Sequence, residues 1–415
     1  MGVPKAVILL IGSELTEGRL LDRNGKFLSE ELTELGFFVQ EMRILPDDAA
    51  LLRIAMQEVL GSEARVILSS GGLGHTSDDL TAALWAEALE DSLHFSSEIF
   101  AVLRQELEKR GISHLPYLEK YAMRPQRGEV LMNPVGLAPA LYWEKGLQVI
   151  CALPGPPSEL QAIWHEHLKK RLLERFSPQS PLHYTLRTTG ISESRLSALI
   201  EPWEKTLPPS HRLSYNPSWE GVTLHVYAPP ASDMDVFEGR IRELRTLLQP
   251  YIYAEGNIPL AQALLHRLKQ ADFTLAIAES CTGGHVAAKI VNIPGASEVL
   301  LGGIISYANS AKMQLLGVSP EALETEGAVS KTVALQMAEG VRKAFGADVG
   351  IATTGIAGPT GGSPEKPVGT VWIAVATPTI QEARRYLFPG DREAVIERAT
   401  ATALSFLWQI LSPKV

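Results

Sequence analysis

The sequence predicts an α/β protein of several domains, and three observations support this. Its 415 residues exceed what one hydrophobic core usually holds, and about three domains are typical of this length. In the first and last thirds, short apolar runs alternate with helical patterns, which is typical of parallel strands joined by helices. Between them, two strands follow each other closely, which indicates a smaller α+β unit. We therefore predict domains at residues 1–176, 177–256 and 257–415.

The composition narrows the classes of function. A hydrophobic content of 45% with 20% charged residues is typical of globular proteins. A net charge of −9 argues against direct binding of nucleic acid, which needs clustered cations. No apolar run approaches the ~20 residues of a membrane span, and no signal peptide precedes the first strand. Two cysteines, far apart in sequence, favour a reducing compartment, so we expect a cytoplasmic protein without a membrane partner.

The N-terminal third is predicted to form a doubly wound parallel sheet. Ser158 and Gln161 have the spacing of a capping box for the last helix of this region. The predicted strands are 6–11, 37–45, 66–70, 140–143 and 148–153, and the predicted helices are 26–35, 49–60 and 158–176.

Two polar loops follow the strands of this sheet, where ligands of such folds bind. The loop at 69–81 is rich in glycine, and a helix is predicted to start near Ser77, which suits a phosphate group. Asp78 and Asp79 are candidate ligands of a divalent cation, since hard cations prefer carboxylate oxygens. The alternative is that these acids only stabilise the first turn of a helix.

Four N-terminal segments together resemble the molybdopterin-binding-like domain, in the version of the CinA (competence/damage-inducible protein) family. They are 11–15, 71–81, 133–136 and 153–158. The resemblance implies metal-dependent cleavage of ADP-ribose, with Mg²⁺ or a similar ion at Asp78 and Asp79. The implied nucleotide-binding residues are Gly12, Glu14, Asn24, Gly71, Gly72, Gly74, Thr76, Pro154 and Gly155. Two positions depart from the family pattern: His75 stands where Pro is usual, and Ser13 where Asp or Asn is common.

The middle segment resembles the KH-like domain of CinA proteins. Its predicted strands are 182–189, 212–215, 222–227 and 251–253, and its predicted helices are 194–203 and 233–248. The G-x-x-G clamp of KH domains is missing, so RNA binding is not expected. We interpret this segment as a spacer or dimerisation element.

In the C-terminal third, polar residues follow three predicted strands. They are Ser280–Thr282, Tyr307 with Lys312, and Thr353–Gly355. Amide hydrolysis needs a nucleophile and a base, and Ser280 and Lys312 suit these roles if burial lowers the lysine pKa. Tyr307 could relay or orient the proton, and the glycines of 355–362 could offer amides to an anion. The alternative for 278–284 is a capped turn before a helix.

The other C-terminal elements support this arrangement. Ser330 and Asp391 are predicted to cap the helices that follow them. Arg392, in the first turn of the last helix, opposes the helix dipole. It could reach a ligand phosphate or carboxamide, and the alternative is a solvated arginine at small cost. The predicted strands are 274–278, 303–307, 349–354, 368–376 and 384–387, and the predicted helices are 258–270, 308–316, 332–345 and 391–411.

Six C-terminal segments resemble the CinA C-terminal domain in order along the chain. They are 278–284, 306–312, 327–330, 354–359, 366–371 and 390–392. The resemblance implies deamidation of nicotinamide mononucleotide without a metal cofactor. Ser280 would be the nucleophile, with Lys312 and Tyr307 as partners, and a homodimer is expected. The residues assigned to substrate binding are Thr282, Gly283, Thr354, Gly355 and Arg392.

Two alternatives remain open from the residues alone. Cys281, a better nucleophile than serine, could react instead of Ser280, with Glu279 and Lys312 as partners. The N-terminal domain could also bind a nucleotide as a scaffold without cleaving it.

Overall fold

The computed structural model describes residues 3–76, 79–112 and 115–412. The chain divides into two compact units, residues 1–181 and 182–415. Within the described residues, no helix has the length and apolar character that crossing a bilayer requires.

The first unit contains a six-stranded mixed sheet and a separate two-stranded sheet. Its strands are β1 (Lys5–Ile11), β2 (Phe38–Leu45), β3 (Val66–Ser70), β4 (Leu93–Phe95), β5 (Met123–Pro125), β6 (Glu129–Leu131), β7 (Ala140–Lys145) and β8 (Gln148–Leu153). Its helices are α1 (Ser13–Thr16), α2 (Asn24–Leu35), α3 (Ala49–Leu60), α4 (Thr81–Ala88), α5 (Ser97–Lys109), α6 (Leu118–Tyr121), α7 (Pro157–Ile163) and α8 (Lys169–Phe176).

The prediction of an all-parallel sheet is wrong at one edge. The strand order is β2-β1-β3-β8-β7-β6, in which the first four strands are parallel and the last two pair antiparallel. Only Gly146 and Leu147 separate β7 from β8, and a two-residue loop can join antiparallel strands but not parallel ones. The α/β class with a doubly wound parallel core is otherwise confirmed.

Strand β1 is buried on both faces, as its continuous apolar run predicts. Ala6, Ile8 and Leu10 contribute to the core on one side of the sheet. Val7 and Leu9 contribute to the core on the other side. Both faces of the sheet are therefore covered. Ligands of such sheets bind beyond the carboxyl ends of the parallel strands.

Two helix starts differ from the sequence prediction. The Ser158–Gln161 capping box does not form: α7 already begins at Pro157 and has no side-chain cap. Proline is favoured at the first helical position, which moves the start one residue earlier. The helix then passes through a π-helical turn, Trp164–Leu168, before α8. The helix expected near Ser77 begins at Thr81 instead, and Ser77 lies outside the described residues.

The second unit starts with a small antiparallel sheet. Its strands are β9 (Leu182–Thr188), β10 (Arg212–Ser218), β11 (Gly221–Ala228) and β12 (Ile252–Glu255), and its helices are α9 (Glu193–Glu204) and α10 (Met234–Leu248). The order β10-β11-β9-β12, with every pair antiparallel, is the split βαβ arrangement of a βαββαβ chain. The α+β character of this segment agrees with the sequence prediction.

The remainder of the second unit is a three-layer α/β arrangement. Its strands are β13 (Leu275–Glu279), β14 (Leu300–Ile305), β15 (Val349–Gly355), β16 (Thr370–Ala376) and β17 (Gln381–Leu387). Its helices are α11 (Leu260–Gln270), α12 (His285–Val291), α13 (Asn309–Leu316), α14 (Pro320–Thr325), α15 (Lys331–Phe345) and α16 (Arg392–Leu411). The order is β14-β13-β15-β16-β17, with the first three strands parallel.

The predicted helix caps of this region are confirmed. The Ser330 hydroxyl accepts the amide of Val333, and the Asp391 carboxylate accepts the amide of Ala394. Strand β14 ends at Ile305, two residues earlier than predicted. Tyr307 therefore lies in the connection to α13 rather than on the strand.

Candidate functional site

The three polar segments of the C-terminal third meet around one cavity. Its volume is about 210 Å³, and it lies beyond the carboxyl ends of the parallel strands β13, β14 and β15. The lining residues are Ser280, Cys281, Tyr307, Lys312, Ala328, Val329, Thr354, Gly355, Ala357 and Arg392.

The turn that carries Ser280 is attached to both neighbouring strands. The Ser280 amide donates to the carbonyl oxygen of Thr353 at 3.0 Å, and the Ser306 amide donates to the carbonyl oxygen of Glu279 at 2.8 Å. The hydroxyls of Thr282 and Thr353 are 2.7 Å apart in the interior. These bonds hold Ser280 at a defined position where the strand ends.

Glu279 stabilises this turn from beneath. Its carboxylate is 1% exposed and accepts the backbone amides of Gly284, Val286 and Ala287 at 2.9–3.1 Å. The negative charge therefore lies at the N-terminus of α12, where the helix dipole favours it. Sequence reasoning considered Glu279 only as a partner of Cys281. Glu279 lies five positions before Gly284, which exceeds the three-residue spacing of a capping box, so no familiar local signal reveals this contact.

Lys312 brings an amine to the nucleophile. Its Nζ lies 3.1 Å from the Ser280 Oγ, and it also donates to the carbonyl oxygens of Ser306 and Tyr307 at 2.6 and 3.3 Å. The side chain is 1% exposed, and burial lowers its pKa below the ordinary value. A neutral amine can donate two hydrogens to the carbonyls and accept the serine proton with its lone pair, whereas the ammonium form donates to all three oxygens. The arrangement is suited to a serine nucleophile with a lysine base.

Tyr307 and Arg392 form the outer wall of this cavity. The Tyr307 side chain is 65% exposed, and its hydroxyl accepts a hydrogen bond from Arg392 Nη2 at 3.1 Å. Arg392 Nη1 donates to the carbonyl oxygen of Gly358 at 2.8 Å. Tyr307 contacts Lys312 through its backbone carbonyl, and its phenol has no hydrogen bond to Ser280 or Lys312 in the described structure. The phenol is thus placed to orient Arg392, whereas the sequence predicted that it relays or orients the serine proton.

Cys281 is less well placed for catalysis than Ser280. It is 6% exposed, and burial together with the charge of Glu279 raises the pKa of its thiol to about 12. At neutral pH it is therefore a protonated thiol, which is a poor nucleophile. The lysine amine hydrogen-bonds to the neighbouring serine.

The other predicted substrate-binding residues fall into two groups. Thr354 and Gly355 line the cavity, and the Thr354 hydroxyl donates to the carbonyl oxygen of Ala328, which ties the loop before α15 to β15. Thr282 and Gly283 are not among the cavity's lining residues. Thr282 is fully buried behind the turn, and Gly283 adopts a left-handed conformation with φ of 59°.

The N-terminal loops surround a larger cavity of about 700 Å³. Of the residues predicted there, Gly12, Glu14, Gly71, Gly72, Gly74, Asp79, Pro154 and Gly155 line it. Thr76 does not. Gly71 has φ of 105°, and a Cβ there would overlap the carbonyl oxygen of Ile11. A Cβ on Gly72 would overlap the Thr81 hydroxyl. These glycines are therefore required by the close approach of the loop to the sheet.

Asn24 lies beside an adjoining cavity of about 400 Å³, which also contacts Glu14 and Gly155. Its amide nitrogen donates to the Ser70 hydroxyl at 2.9 Å and to the Gly155 carbonyl oxygen at 2.7 Å. Its Oδ1 is buried without a hydrogen-bond partner among the described residues. An unpaired buried acceptor is costly, so this atom is a candidate acceptor for a ligand hydroxyl or amino group.

The proposed metal ligands can be compared with the structure only in part. Asp78 lies outside the described residues. Asp79 accepts the amides of Gly74 and Thr76 at 2.8 Å each and the Thr76 hydroxyl at 2.5 Å, so its carboxylate organises the loop. In the described parts of the chain, no group of three His, Cys, Asp or Glu side chains converges as a metal site.

The donor set of this cavity nevertheless suits a hard cation. Carboxylates of Glu14, Asp47, Asp79 and Glu159 line it. Mg²⁺ is commonly held by one or two carboxylates together with substrate phosphates and water. The cavity therefore fits a metal that arrives with a phosphorylated ligand better than one in an all-protein cage.

Two family models match the chain, and each matched range contains the residues that line one of the two cavities. The probable molybdopterin binding domain matches residues 7–174, and the CinA C-terminal domain matches residues 257–411. The class is thus a mixed α/β protein with a molybdopterin-binding-like N-terminal domain and a CinA C-terminal domain. The segment between the two matches holds the antiparallel sheet, and its KH-like identity stays a prediction.

Relatives extend the similarity over nearly the whole chain. A CinA-like protein of Salinibacter ruber is 37% identical over 98% of this chain and 100% of its own length. A CinA-like protein of Syntrophotalea carbinolica is 36% identical over 97% and 98%. The chain belongs to the CinA family. A crystal structure of a CinA superfamily protein from Klebsiella pneumoniae is 35% identical over 37% of this chain and 95% of its own, with a TM-score of 0.36.

Proposed function

We propose that the C-terminal site hydrolyses the carboxamide of nicotinamide mononucleotide to nicotinic acid mononucleotide and ammonia. The observation that carries this proposal is the 3.1 Å contact between the buried Lys312 amine and the Ser280 hydroxyl. Membership in the CinA family supports the choice of substrate.

The chemistry follows from the two side chains. Neutral Lys312 takes the Ser280 proton while Oγ attacks the carboxamide carbon, which forms a tetrahedral intermediate. The lysine ammonium then gives a proton to the leaving nitrogen, so ammonia departs and an acyl-serine ester remains. Water, deprotonated by the same amine, hydrolyses the ester and restores Ser280. Base and nucleophile are both side chains, so no step calls for a metal.

Arg392 is proposed to bind the substrate phosphate. A guanidinium pairs well with phosphate oxygens, and Tyr307 and the Gly358 carbonyl hold it at the rim of the cavity. Thr354 and Gly355, which line the same cavity, would contact the carboxamide or the ring.

The direct test of this site uses purified protein and nicotinamide mononucleotide. Ammonia and nicotinic acid mononucleotide are measured for the wild type, Ser280→Ala and Cys281→Ala. If Ser280→Ala loses activity and Cys281→Ala keeps it, the serine mechanism is supported. If Cys281→Ala loses activity and Ser280→Ala keeps it, the cysteine alternative replaces the serine mechanism.

For the N-terminal site we propose metal-dependent hydrolysis of ADP-ribose to AMP and ribose 5-phosphate. The observation in favour is the 700 Å³ cavity, where a glycine loop and several carboxylates meet. A bound Mg²⁺ would neutralise charge on the diphosphate, and Glu14 and Asp79, with Asp78, are the residues proposed to hold it. The loop amides and Asn24 would bind the nucleotide.

The alternative for this site is binding without cleavage. Incubation with ADP-ribose and Mg²⁺ or Mn²⁺ distinguishes the two, because AMP appears only if the bond is cut. Binding of ADP-ribose without AMP formation, with no effect of EDTA, would favour the scaffold.

The remaining expectations stay proposals. They are three domains at 1–176, 177–256 and 257–415, a KH-like middle domain without RNA binding, a cytoplasmic location and a homodimer. Light scattering coupled to size exclusion measures the last of these, and a monomer at micromolar concentration would contradict it.

A further inference from the structure

His75 is a residue of the N-terminal cavity to which the proposed hydrolysis of ADP-ribose gives no role. It follows the glycines of the 71–74 loop directly in sequence, and it lines the 700 Å³ cavity. Its backbone is held in place, because the Lys120 amine donates to the carbonyl oxygens of His75 and Thr76 at 2.8 and 3.0 Å. The imidazole therefore has a defined attachment point in the loop.

A second side chain orients the imidazole. The Tyr121 hydroxyl lies 3.0 Å from His75 Nδ1, and the two rings meet edge to face with centroids 6.0 Å apart. Tyr121 is half-buried, and burial together with Asp79 and Glu159 raises its pKa, so the phenol keeps its proton. In the tautomer in which the phenol donates to Nδ1, the imidazole proton is on Nε2.

In that tautomer, Nε2–H is a donor without a hydrogen-bond partner in the described structure, and the charged residues that line the cavity are mainly acidic. Among those lining residues, Arg110 is the other strong donor, but its guanidinium already binds Glu106 at 3.2 Å and the Val135 carbonyl oxygen at 3.1 Å. An anionic ligand entering this cavity must overcome repulsion from the carboxylates. It therefore needs neutral or positive donors such as Nε2–H.

We propose that His75, oriented by Tyr121, donates a hydrogen bond to a phosphate oxygen of a nucleoside phosphate or diphosphate bound in the N-terminal cavity. This rests on the proposed function of that site as a nucleotide site and names a specificity-determining contact within it.

The experiment measures binding without metal by calorimetry, in the full-length protein. The ligands are AMP, ADP-ribose and adenosine, and the variants are His75→Ala, His75→Gln and Tyr121→Phe. His94→Ala, an exposed histidine on β4, is the matched control. A hydrogen bond to a charged group is worth about 1.5–3 kcal/mol, so His75→Ala should weaken AMP and ADP-ribose binding roughly 10- to 100-fold. Adenosine binding should not change.

The remaining variants test orientation and donation. His75→Gln keeps an N–H donor and should restore part of the affinity, and Tyr121→Phe should cost a smaller factor than His75→Ala. Thermal unfolding of each variant shows that it is folded. Equal AMP affinity of wild type and His75→Ala, or an equal loss for adenosine, would overturn the inference. Nucleotide binding that depends on His75 without any AMP release from ADP-ribose would instead overturn only the proposed hydrolysis.

Discussion

The turn around Ser280 and the loop around Gly71–Asp79 occupy equivalent places in two different sheets. Each follows a buried parallel strand at its carboxyl end, contains glycines in left-handed conformations and is held by a carboxylate. In the turn, the carboxylate of Glu279 is buried and binds three amides of a helix start. In the loop, Asp79 binds two amides and a hydroxyl beside a wide cavity.

The two sites differ in whether their own side chains include a pair of reacting groups. The C-terminal cavity is small and brings a nucleophile and a base into direct contact. The N-terminal cavity is more than three times larger and offers loop amides and acidic side chains, but no comparable pair of nucleophile and base among its lining residues. The same topological position can thus supply reacting side chains in one domain and a place for a ligand with its own metal in the other.

The largest effect that separates the two sites is expected for Ser280→Ala. We expect deamidation to fall by about 10³-fold or more, because the nucleophile is lost. Cleavage of ADP-ribose should stay within a factor of two. Ammonia release and AMP release are measured on the same preparation, and retained deamidation in folded Ser280→Ala would show that the serine is not the nucleophile.

Replacing the base should be almost as severe. Lys312→Met is expected to lower deamidation by about 10²- to 10⁴-fold, since the variant has no group to take the serine proton. In the wild type, the base form of Lys312 is populated above its lowered pKa, so the deamidation rate should rise through that pKa and level off at higher pH. A rate that falls over the same range would exclude a lysine base.

The same burial makes stability depend on pH. Because the pKa of Lys312 is lower in the folded chain than in the unfolded chain, the unfolded state binds more protons between the two values. This group's contribution therefore increases stability as pH rises through that window and decreases it as pH falls. Lys312→Met should flatten this slope, which urea unfolding at several pH values measures. An identical slope in the variant would contradict the assignment.

Glu279→Gln tests whether the buried carboxylate positions the turn. The amide keeps the shape but replaces one acceptor by a donor that faces backbone N–H groups, which costs about 1–3 kcal/mol of unfolding free energy. We expect a 10- to 100-fold lower kcat with little change in KM, because the serine is displaced rather than the substrate contacts. An unchanged kcat with a lowered Tm would make Glu279 a purely structural residue.

Arg392→Lys should act on substrate binding. A lysine cannot reproduce the fork of contacts to Tyr307, Gly358 and a phosphate, so KM for nicotinamide mononucleotide should increase roughly 10-fold with kcat within a factor of three. Steady-state kinetics also on nicotinamide riboside, which lacks the phosphate, provides the control. An equal effect on both substrates would show that Arg392 does not bind the phosphate.

The smallest effect is expected from replacing Asp79, the carboxylate that holds the N-terminal loop as Glu279 holds the C-terminal turn. Asp79→Asn should loosen the 74–79 loop and weaken AMP binding by a few-fold, with under about 1 kcal/mol lost in unfolding, because the carboxylate is near the surface. Calorimetry and urea unfolding check the two numbers. A loss of stability as large as that of Glu279→Gln would remove the contrast between the two turns.

Much of the fold was predictable because apolar runs and helix-capping residues are local sequence patterns. Continuous apolar runs located β1, β3, β8 and β15, and the caps at Ser330 and Asp391 formed as the residue types predict. The antiparallel edge of the first sheet was missed, although the two-residue loop between β7 and β8 was a usable signal. Helix α5 was not predicted at all, and the start of α7 was misplaced because proline rather than serine begins it.

For the sites, the sequence alone determined which residue types stand at the strand ends: a serine, a lysine and an arginine in one domain, glycines and acids in the other. Only the tertiary structure decided which atoms meet. In the folded chain, the Tyr307 phenol contacts Arg392, and the Glu279 carboxylate binds the backbone amides at the start of α12. Cys281 is buried. Tyr307 and Arg392, which line the same cavity as Ser280, follow it by 27 and 112 positions in the sequence. Separations of this size produce no periodic pattern from which the contact could be predicted. Burial, which lowers the pKa of Lys312, is likewise a property of the packed chain rather than of its local sequence.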